Sequence, residues 1–460
     1  MIPGPTPIRK VLIANRGEIA ARVIRTCRRL GIESVLAASE ADLDSVPARL
    51  ADETVCIGPA QSAGSYLNVQ AVVAAAVAVG ADALHPGYGF LSENMRLARA
   101  LGEAGVIFIG PTEYQLQALG DKLRARQHAL EAGLPVVPGA AVEDEAQAER
   151  LAEEIGFPIL IKAVGGGGGR GMKQVHDHAA MAESMAMAVA EADAAFGDSR
   201  VYLERYIASG RHVEVQLLGD GANVVHLGNR DCSVQRRYQK LVEEAPAPRL
   251  DQGLRENMHA AAVALGEHLH YRGAGTVEFL VDCDRNEFYF LEMNARIQVE
   301  HPVTEMITGV DLVAEQIAVA EGRPLRLSQE QIEFRGHAME CRINAEDVSR
   351  DFRPSPGTVT RAVFPAGTGI RVDTHVENGT TVTPFYDSLL AKLIVAGTDR
   401  DAVIAAMAGV LQNCRLEGVD TNIAMHAALM ADPEFRKGGV NTAFFNTFIA
   451  GVRNNAAGGD

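Results

Sequence analysis

The 460 residues contain no Cys-x-x-Cys pair, no excess of basic side chains, no membrane-length apolar run and no tandem repeat. Each absence excludes a class of protein. Cys27, Cys56, Cys232, Cys283, Cys341 and Cys414 are scattered, which reads as reduced thiols and leaves no zinc or disulfide framework. With 43 Lys+Arg against 59 Asp+Glu the net charge is −16. That balance argues against a nucleic-acid surface while leaving room for a local basic pocket. The N-terminal "MIPGPTPIRKV" has no apolar h-region and does not read as a secretory signal. The most apolar helix candidate, "VVAAAVAVGADAL", is too short for a bilayer. The expectation is a cytoplasmic enzyme-sized chain of two or three domains.

What is present is an alternation of strand and helix. "KVLIANRGEIAARVIRTCRRLGIESVLAAS" reads strand, turn, helix, strand, with apolar residues at Val11–Ala14, then at Ile19, Val23, Ile24 and Leu30. A helix over 69–79, the loop "HPGYGFLSEN" and a buried strand in "GVIFIGP" (105–111) follow. Such alternation predicts a parallel sheet covered on both faces. The first turn, Asn-Arg-Gly-Glu-Ile, lacks Gly-x-Gly-x-x-Gly, so dinucleotide binding there is unsupported. Asn15–Glu18 reads equally as a tight turn or as an interface segment. Residues 112–140 read as helical, 144–207 as a small α/β module with helices over 144–155 and 178–195, and the chain from 211 onward as an antiparallel sheet with a turn at Gly219–Asn223.

Five consecutive glycines, Gly165, Gly166, Gly167, Gly168 and Gly169, sit between two short β segments. No Gly-Lys-Ser/Thr follows, so this is not a Walker A loop. A hairpin tip of glycines exposes backbone N–H groups to oxyanions, and Lys162 just before it supplies a point charge for phosphate. Further on, "GTVEFLVDCDRNEFYFLEMNARIQVEH" reads as two strands joined by a polar turn at Asp284–Asn286. Antiparallel pairing would bring Glu278 and Glu292 together, with Asn294 on the same face. Two carboxylates and an amide oxygen suit Mg²⁺ beside phosphates. The alternation continues through Arg296, Gln298 and Glu300, a pattern suited to a small oxyanion and a base.

These motifs, with "IANRGEIA" (13–20), "ADETVCIGPA" (51–60), "HPGYGFLSEN" (85–94), "GGGGGRGM" (165–172), "VEEAPAP" (242–248), "RIQVEHPVTEMITGVDL" (296–312) and "ECRINAED" (340–347), resemble the biotin carboxylase subunit of biotin-dependent carboxylases. The resemblance covers essentially the whole chain. It implies an α/β, ATP-grasp fold with an N-terminal Rossmann-like domain (1–112), a helical connector (113–138), a mobile glycine-loop lid (139–207) and a C-terminal mixed α+β domain (208–460). The implied reaction uses ATP and bicarbonate to form carboxyphosphate and then carboxylates N1 of biotin, releasing ADP and phosphate.

By the same resemblance, Lys122, Lys162 and the glycines would hold the ATP phosphates, with Arg205 nearby. The backbone of Glu204 and Ile207 would meet adenine, and His212 and Gln235 the ribose and phosphate side. Glu278 and Glu292, with Asn294, would bind two Mg²⁺ (Mn²⁺ as an alternative). Lys240, Arg296, Gln298 and the Val299 backbone would fix bicarbonate. Glu300 would be the base, Arg296 would stabilise the biotin enolate, Arg342 would assist at the biotin end, and Tyr88 would lie near the biotin ring.

Four positions depart from the family pattern. Tyr238 stands where histidine is frequent, Arg205 where lysine is usual, Ala295 for a common threonine, and Asn229 where glutamate is frequent. None is an expected metal or bicarbonate ligand. The only Met-Lys pair is Met172–Lys173, so no biotin-attachment hairpin is expected here. A separate biotin carboxyl carrier protein, a separate carboxyltransferase and a homodimer are the implied partners. An acetyl-CoA or acyl-CoA carboxylase is the first expectation for the whole system. The rivals are the biotin-carboxylating component of a keto-acid carboxylase, another ATP-grasp carboxylate–amine ligase, and a non-catalytic nucleotide-binding regulator.

Overall fold

The computed structural model describes residues 6–142, 144–164 and 172–457. Gly165–Gly169 therefore lie outside the described residues. Val11, Leu12 and Ile13 have no solvent contact, because their strand is central in a sheet covered on both sides. The parallel strands run in the order Glu53–Cys56, Glu33–Ala38, Lys10–Ile13, Ala83–His85 and Ile107–Phe108. Helix Gly17–Leu30 follows the first strand and ends at Gly31, whose φ of 72° closes the helix in the left-handed region. The strand expected over 105–111 shrinks to Ile107–Phe108: Gly105 has positive φ, and Gly110–Pro111 end the extended run.

The helical stretch expected over 112–140 is two helices, Glu113–Leu119 and Lys122–Glu131. Asp121 causes the break. It is extended, and its carboxylate accepts from the N–H groups of Leu123 and Arg124, so it caps a new helix instead of continuing the old one. This cap places Lys122 at the first helical position.

A four-stranded antiparallel sheet follows, ordered Gly139–Val142, Val201–Arg205, Ile159–Ala163 and Met172–Val175. Ile159, Ile161 and Ala163 are buried beneath helices Glu145–Ile155 and Met181–Phe196. Period-two alternation sends Leu160 and Lys162 to the other face, where both line the large cavity described below.

The body of the molecule is an eight-stranded sheet whose neighbours are all antiparallel. Its order is Glu287–Asn294, Arg272–Asp282, Gly210–Asp220, Val224–Arg236, Gln239–Ala245, His337–Asn344, Leu389–Gly397 and Ile370–Thr374. On one face Val213, Val215, Val277, Phe279 and Val281 pack with Met258 and Leu265 of helix Gln252–His268. The alternate positions His212, Glu214, Thr276 and Glu278 turn the other way. Helices Arg400–Asn413 and Ile423–Ala431 cover the far end of the sheet. Among the described residues no helix is long and apolar enough to cross a membrane.

Phe279 is fully buried directly behind Glu278, so its ring anchors the strand that carries the carboxylate. Phe279→Ala should cost about 3–5 kcal/mol, read as a lowered urea midpoint in equilibrium unfolding.

Candidate active site

A fully buried guanidinium underlies the polar face of the large sheet. Arg230 has all five of its donors engaged: Nε to Glu214 (2.5 Å), one terminal nitrogen to Gln216 (2.7 Å) and Thr304 (2.9 Å), the other to Thr276 (3.2 Å) and Gln298 (2.9 Å). Gln298 accepts from Arg230 through its oxygen, so its amide nitrogen is free to donate to Glu278 Oε1 at 2.7 Å. Above this layer, Lys240 Nζ sits among Glu214 (2.6 Å), Glu278 (3.0 Å) and Glu300 (2.6 Å).

The strand register pairs Glu278 with Glu292 and Thr276 with Asn294. Glu278 receives hydrogen bonds from Lys240, from Gln298 and from Asn294 Nδ2 (3.0 Å), and pairs with His212 Nε2 at 2.9 Å without hydrogen-bond alignment. Burial opposes its ionisation, but Lys240 and His212 hold its carboxyl well below the usual range. Glu292 behaves in the opposite sense: burial and then the Glu278 charge push its carboxyl up despite Lys122. A buried carboxylate pair with one member pushed up is short of positive charge on that side, and an all-oxygen donor set of this kind fits Mg²⁺.

The expected strand continuation through Arg296–Glu300 is absent. The strand ends at Asn294, and residues 295–300 form an irregular turn leading into helix His301–Thr308. His301 N–H reaches back to Gln298 O, and Pro302 occupies an early helical position, which ends extended pairing. The side chains converge all the same. Glu300 accepts from Lys240 and, through its second oxygen, from Arg342 at 2.8 Å. Burial opposes its charge, but Lys240, Arg342 and Arg230 hold it below the ordinary range. Arg296 donates from Nε to Glu93 (2.9 Å) and from a terminal nitrogen to Asn294 Oδ1 (2.8 Å).

Every described site residue expected from the sequence lines one cavity of about 1130 Å³. At one end of the cavity burial lowers the Lys122 ammonium pKa, and Lys162 pairs with Glu204 on the neighbouring strand. Ile207, His212 and Gln235 line the wall, and Arg205 reaches the Tyr289 hydroxyl at 2.5 Å. At the other end, Tyr88 donates to Glu18; burial and the Glu18 charge keep its phenol protonated. Val299 offers its carbonyl to Lys392 Nζ at 2.8 Å. Tyr238 lines the cavity rim and is exposed. Ala295 N–H donates to Glu93 at 2.8 Å, and the Asn229 amide oxygen accepts from Ala247 N–H at 2.8 Å.

Five contributors escaped the reading of the sequence: Arg230, Glu214, Glu93, Glu243 and Lys392. Glu214 had a usable signal, since His212, Glu214 and Gln216 alternate with valine and leucine on one strand. Glu243 accepts from Arg342 Nε at 2.6 Å, and burial pushes its carboxyl up to about 7 against the Arg342 charge. Glu93 and Lys392 carry no such signal, because their partners are 203 and 93 residues away.

A carboxylate whose folded-state pKa is depressed contributes stability that is complete above its unfolded value of about 4.3 and lost as pH falls. Glu300→Gln should therefore lower the urea midpoint at neutral pH and flatten its decline below about pH 5, measured across a pH series against the unmodified protein.

Three family models match in succession: Biotin carboxylase, N-terminal domain, over residues 7–116; Carbamoyl-phosphate synthase L chain, ATP binding domain, over 121–328; and Biotin carboxylase C-terminal domain, over 340–447. The chain is 50% identical over 438 residues to the biotin carboxylase of Nostoc sp. (strain PCC 7120), covering 95% of this chain and 98% of that protein. It is 48% identical over 446 residues to a pyruvate carboxylase subunit of Methanothermobacter thermautotrophicus, covering 96% and 90%. Among solved structures, the biotin carboxylase domain dimer of Hydrogenobacter thermophilus 2-oxoglutarate carboxylase, in complex with MgADP, ADP and bicarbonate, superposes with a TM-score of 0.91 at 45% identity. That match covers 96% of this chain and 97% of that one. With one cavity joining a carboxylate pair to a Lys–Glu–Arg cluster, and with matches of this extent, the chain belongs to the biotin carboxylase family.

Proposed function

We infer that this protein is a biotin carboxylase, an ATP-dependent ligase that uses bicarbonate to carboxylate N1 of biotin. The observation that carries the reading is Glu300 held between Lys240 and Arg342, in the same cavity as Glu278 and Glu292. Another ATP-grasp ligase needs the carboxylate pair but has no use for that cluster.

Glu278, Glu292 and Asn294 would hold Mg²⁺, which supplies neutralisation of charge developing on the phosphates. Asn294 Oδ1 and Glu278 Oε1 are engaged by Arg296 and Lys240, so holding the cation would mean exchanging those two contacts for it. Lys122 and Lys162 face the phosphates, Lys162 leaving Glu204 to do so. The backbone of Glu204 and Ile207 serves adenine, and His212 and Gln235 serve the ribose side. Lys240, Arg296, Gln298 and the Val299 N–H bind bicarbonate.

Glu300 is ionised at neutral pH but a weak base while Lys240 and Arg342 face it. A bound anion offsets those two charges and raises the carboxyl, so substrate binding itself makes Glu300 a better proton acceptor. Glu300 takes the bicarbonate proton, and the bicarbonate oxygen displaces ADP from the γ-phosphorus to give carboxyphosphate. Its decomposition yields CO₂ and a phosphate that accepts the N1 proton of biotin. Arg296 stabilises the resulting enolate, whose N1 then adds to the CO₂ carbon to give carboxybiotin, with Tyr88 beside the ring and Arg342 at the carboxyl end.

In this reading residues 1–112 and 113–138 support the cavity, 139–207 act as its lid, and 208–460 carry the metal and bicarbonate groups. The biotin arrives on a separate cytoplasmic carrier protein, a carboxyltransferase completes the reaction, and the chain works as a homodimer, the state in which the Hydrogenobacter domain was solved. Acetyl-CoA or another acyl-CoA is the proposed acceptor. The likeness to a component of pyruvate carboxylase keeps a keto acid as the second candidate.

Release of ADP from MgATP with free biotin should require bicarbonate and should yield carboxybiotin; bicarbonate-independent release would contradict the reading. Glu300→Gln should lower kcat by at least about 100-fold while leaving MgATP affinity within a few-fold. Equal loss of both would sink the assignment of Glu300 as base.

A further inference from the structure

We propose a zinc site outside the catalytic cavity, built from His128, Glu131 and His268. The two histidines belong to the last turns of two packed helices, Lys122–Glu131 and Gln252–His268. His128 and Glu131 are three residues apart and share one helix face. His128 Nδ1 lies 3.1 Å from His268 Nε2, and Glu131 Oε2 lies 3.7 Å from the first and 3.5 Å from the second. Ligands bound to Zn²⁺ at about 2.0–2.1 Å in a tetrahedron stand roughly 3.3 Å apart. The three atoms thus have the spacing of three corners of such a shell, with the two ring nitrogens sharing a hydrogen bond whose proton the ion would replace.

The chemistry of the donors selects the ion. Two imidazoles and one carboxylate are a borderline set that suits Zn²⁺ and fits Mg²⁺ or Ca²⁺ poorly. A supporting hydrogen bond is also present. Gln127 Nε2 donates to Glu131 Oε1 at 2.9 Å, which leaves Oε2 aimed at both rings. Such outer contacts orient a ligating carboxylate. All three side chains are partly exposed, so an ion can enter from solvent and water can complete the shell. The site joins the C-terminal end of the helix that starts at Lys122 to the helix beneath the large sheet. A bound ion would brace the element that presents Lys122 to the cavity.

The test uses the full-length protein and Co²⁺ as a spectroscopic probe, with the nucleotide site saturated by MgADP so that His212 and Glu278 are occupied. One equivalent of Co²⁺ should give the intense visible bands of a tetrahedral ion and be displaced by Zn²⁺. His268→Asn should weaken binding by more than about 100-fold, and Gln127→Ala by about 10-fold. Both variants should keep the zinc-free rate of ADP release. Zn²⁺ should raise the melting temperature of the unmodified protein but not of His268→Asn. Absence of uptake, weak octahedral bands, or equal uptake by His268→Asn would each overturn the proposal.

Discussion

A guanidinium without solvent contact must have every donor satisfied, and this requirement organises the site. Arg230 meets it by drawing in Glu214, Gln216, Thr276, Gln298 and Thr304 from several elements of the chain. Each of those contacts sets a second one. Glu214, held from below, presents its other oxygen to Lys240. Gln298, accepting through its oxygen, turns its nitrogen toward Glu278. Removing either partner of a buried pair strands a charge, at a cost of several kcal/mol. The layer therefore behaves as one unit.

Lys240 shows how the site's own side chains balance one another. Three carboxylates surround one ammonium, with His212 and Arg342 at the periphery. On the Glu278 side of the cavity the arrangement leaves Glu292 pushed up by burial and by the Glu278 charge. Added positive charge on that side would be stabilising, and the expected metal ligands converge there.

How much of this was legible in the residues follows from the range of each interaction. The pairing of Glu278 with Glu292 was readable because a short polar turn joins their strands and period-two alternation does the rest. The Glu145–Ile155 and Met181–Phe196 helices were readable from composition and spacing, and the Asp121 cap was missed because a helix-wide pattern concealed a local competitor. Arg296–Glu300 were correctly grouped by alternation, yet the group is made by a turn and a helix start, not by a strand. Glu93 and Lys392 were invisible, since only the tertiary fold brings them to Arg296 and Val299.

Lys392 has a consequence of its own. It is fully buried in strand Leu389–Gly397, and its ammonium meets both the Val299 carbonyl and Glu18, the acceptor of the Tyr88 hydroxyl. The tyrosine comes from the N-terminal sheet region, the carbonyl from the turn beside Glu300, and the lysine from a third part of the chain. One ammonium thus ties the carboxylate that fixes an aromatic wall to the turn beside Glu300, so losing it would unfasten both sides of the cavity's far end at once.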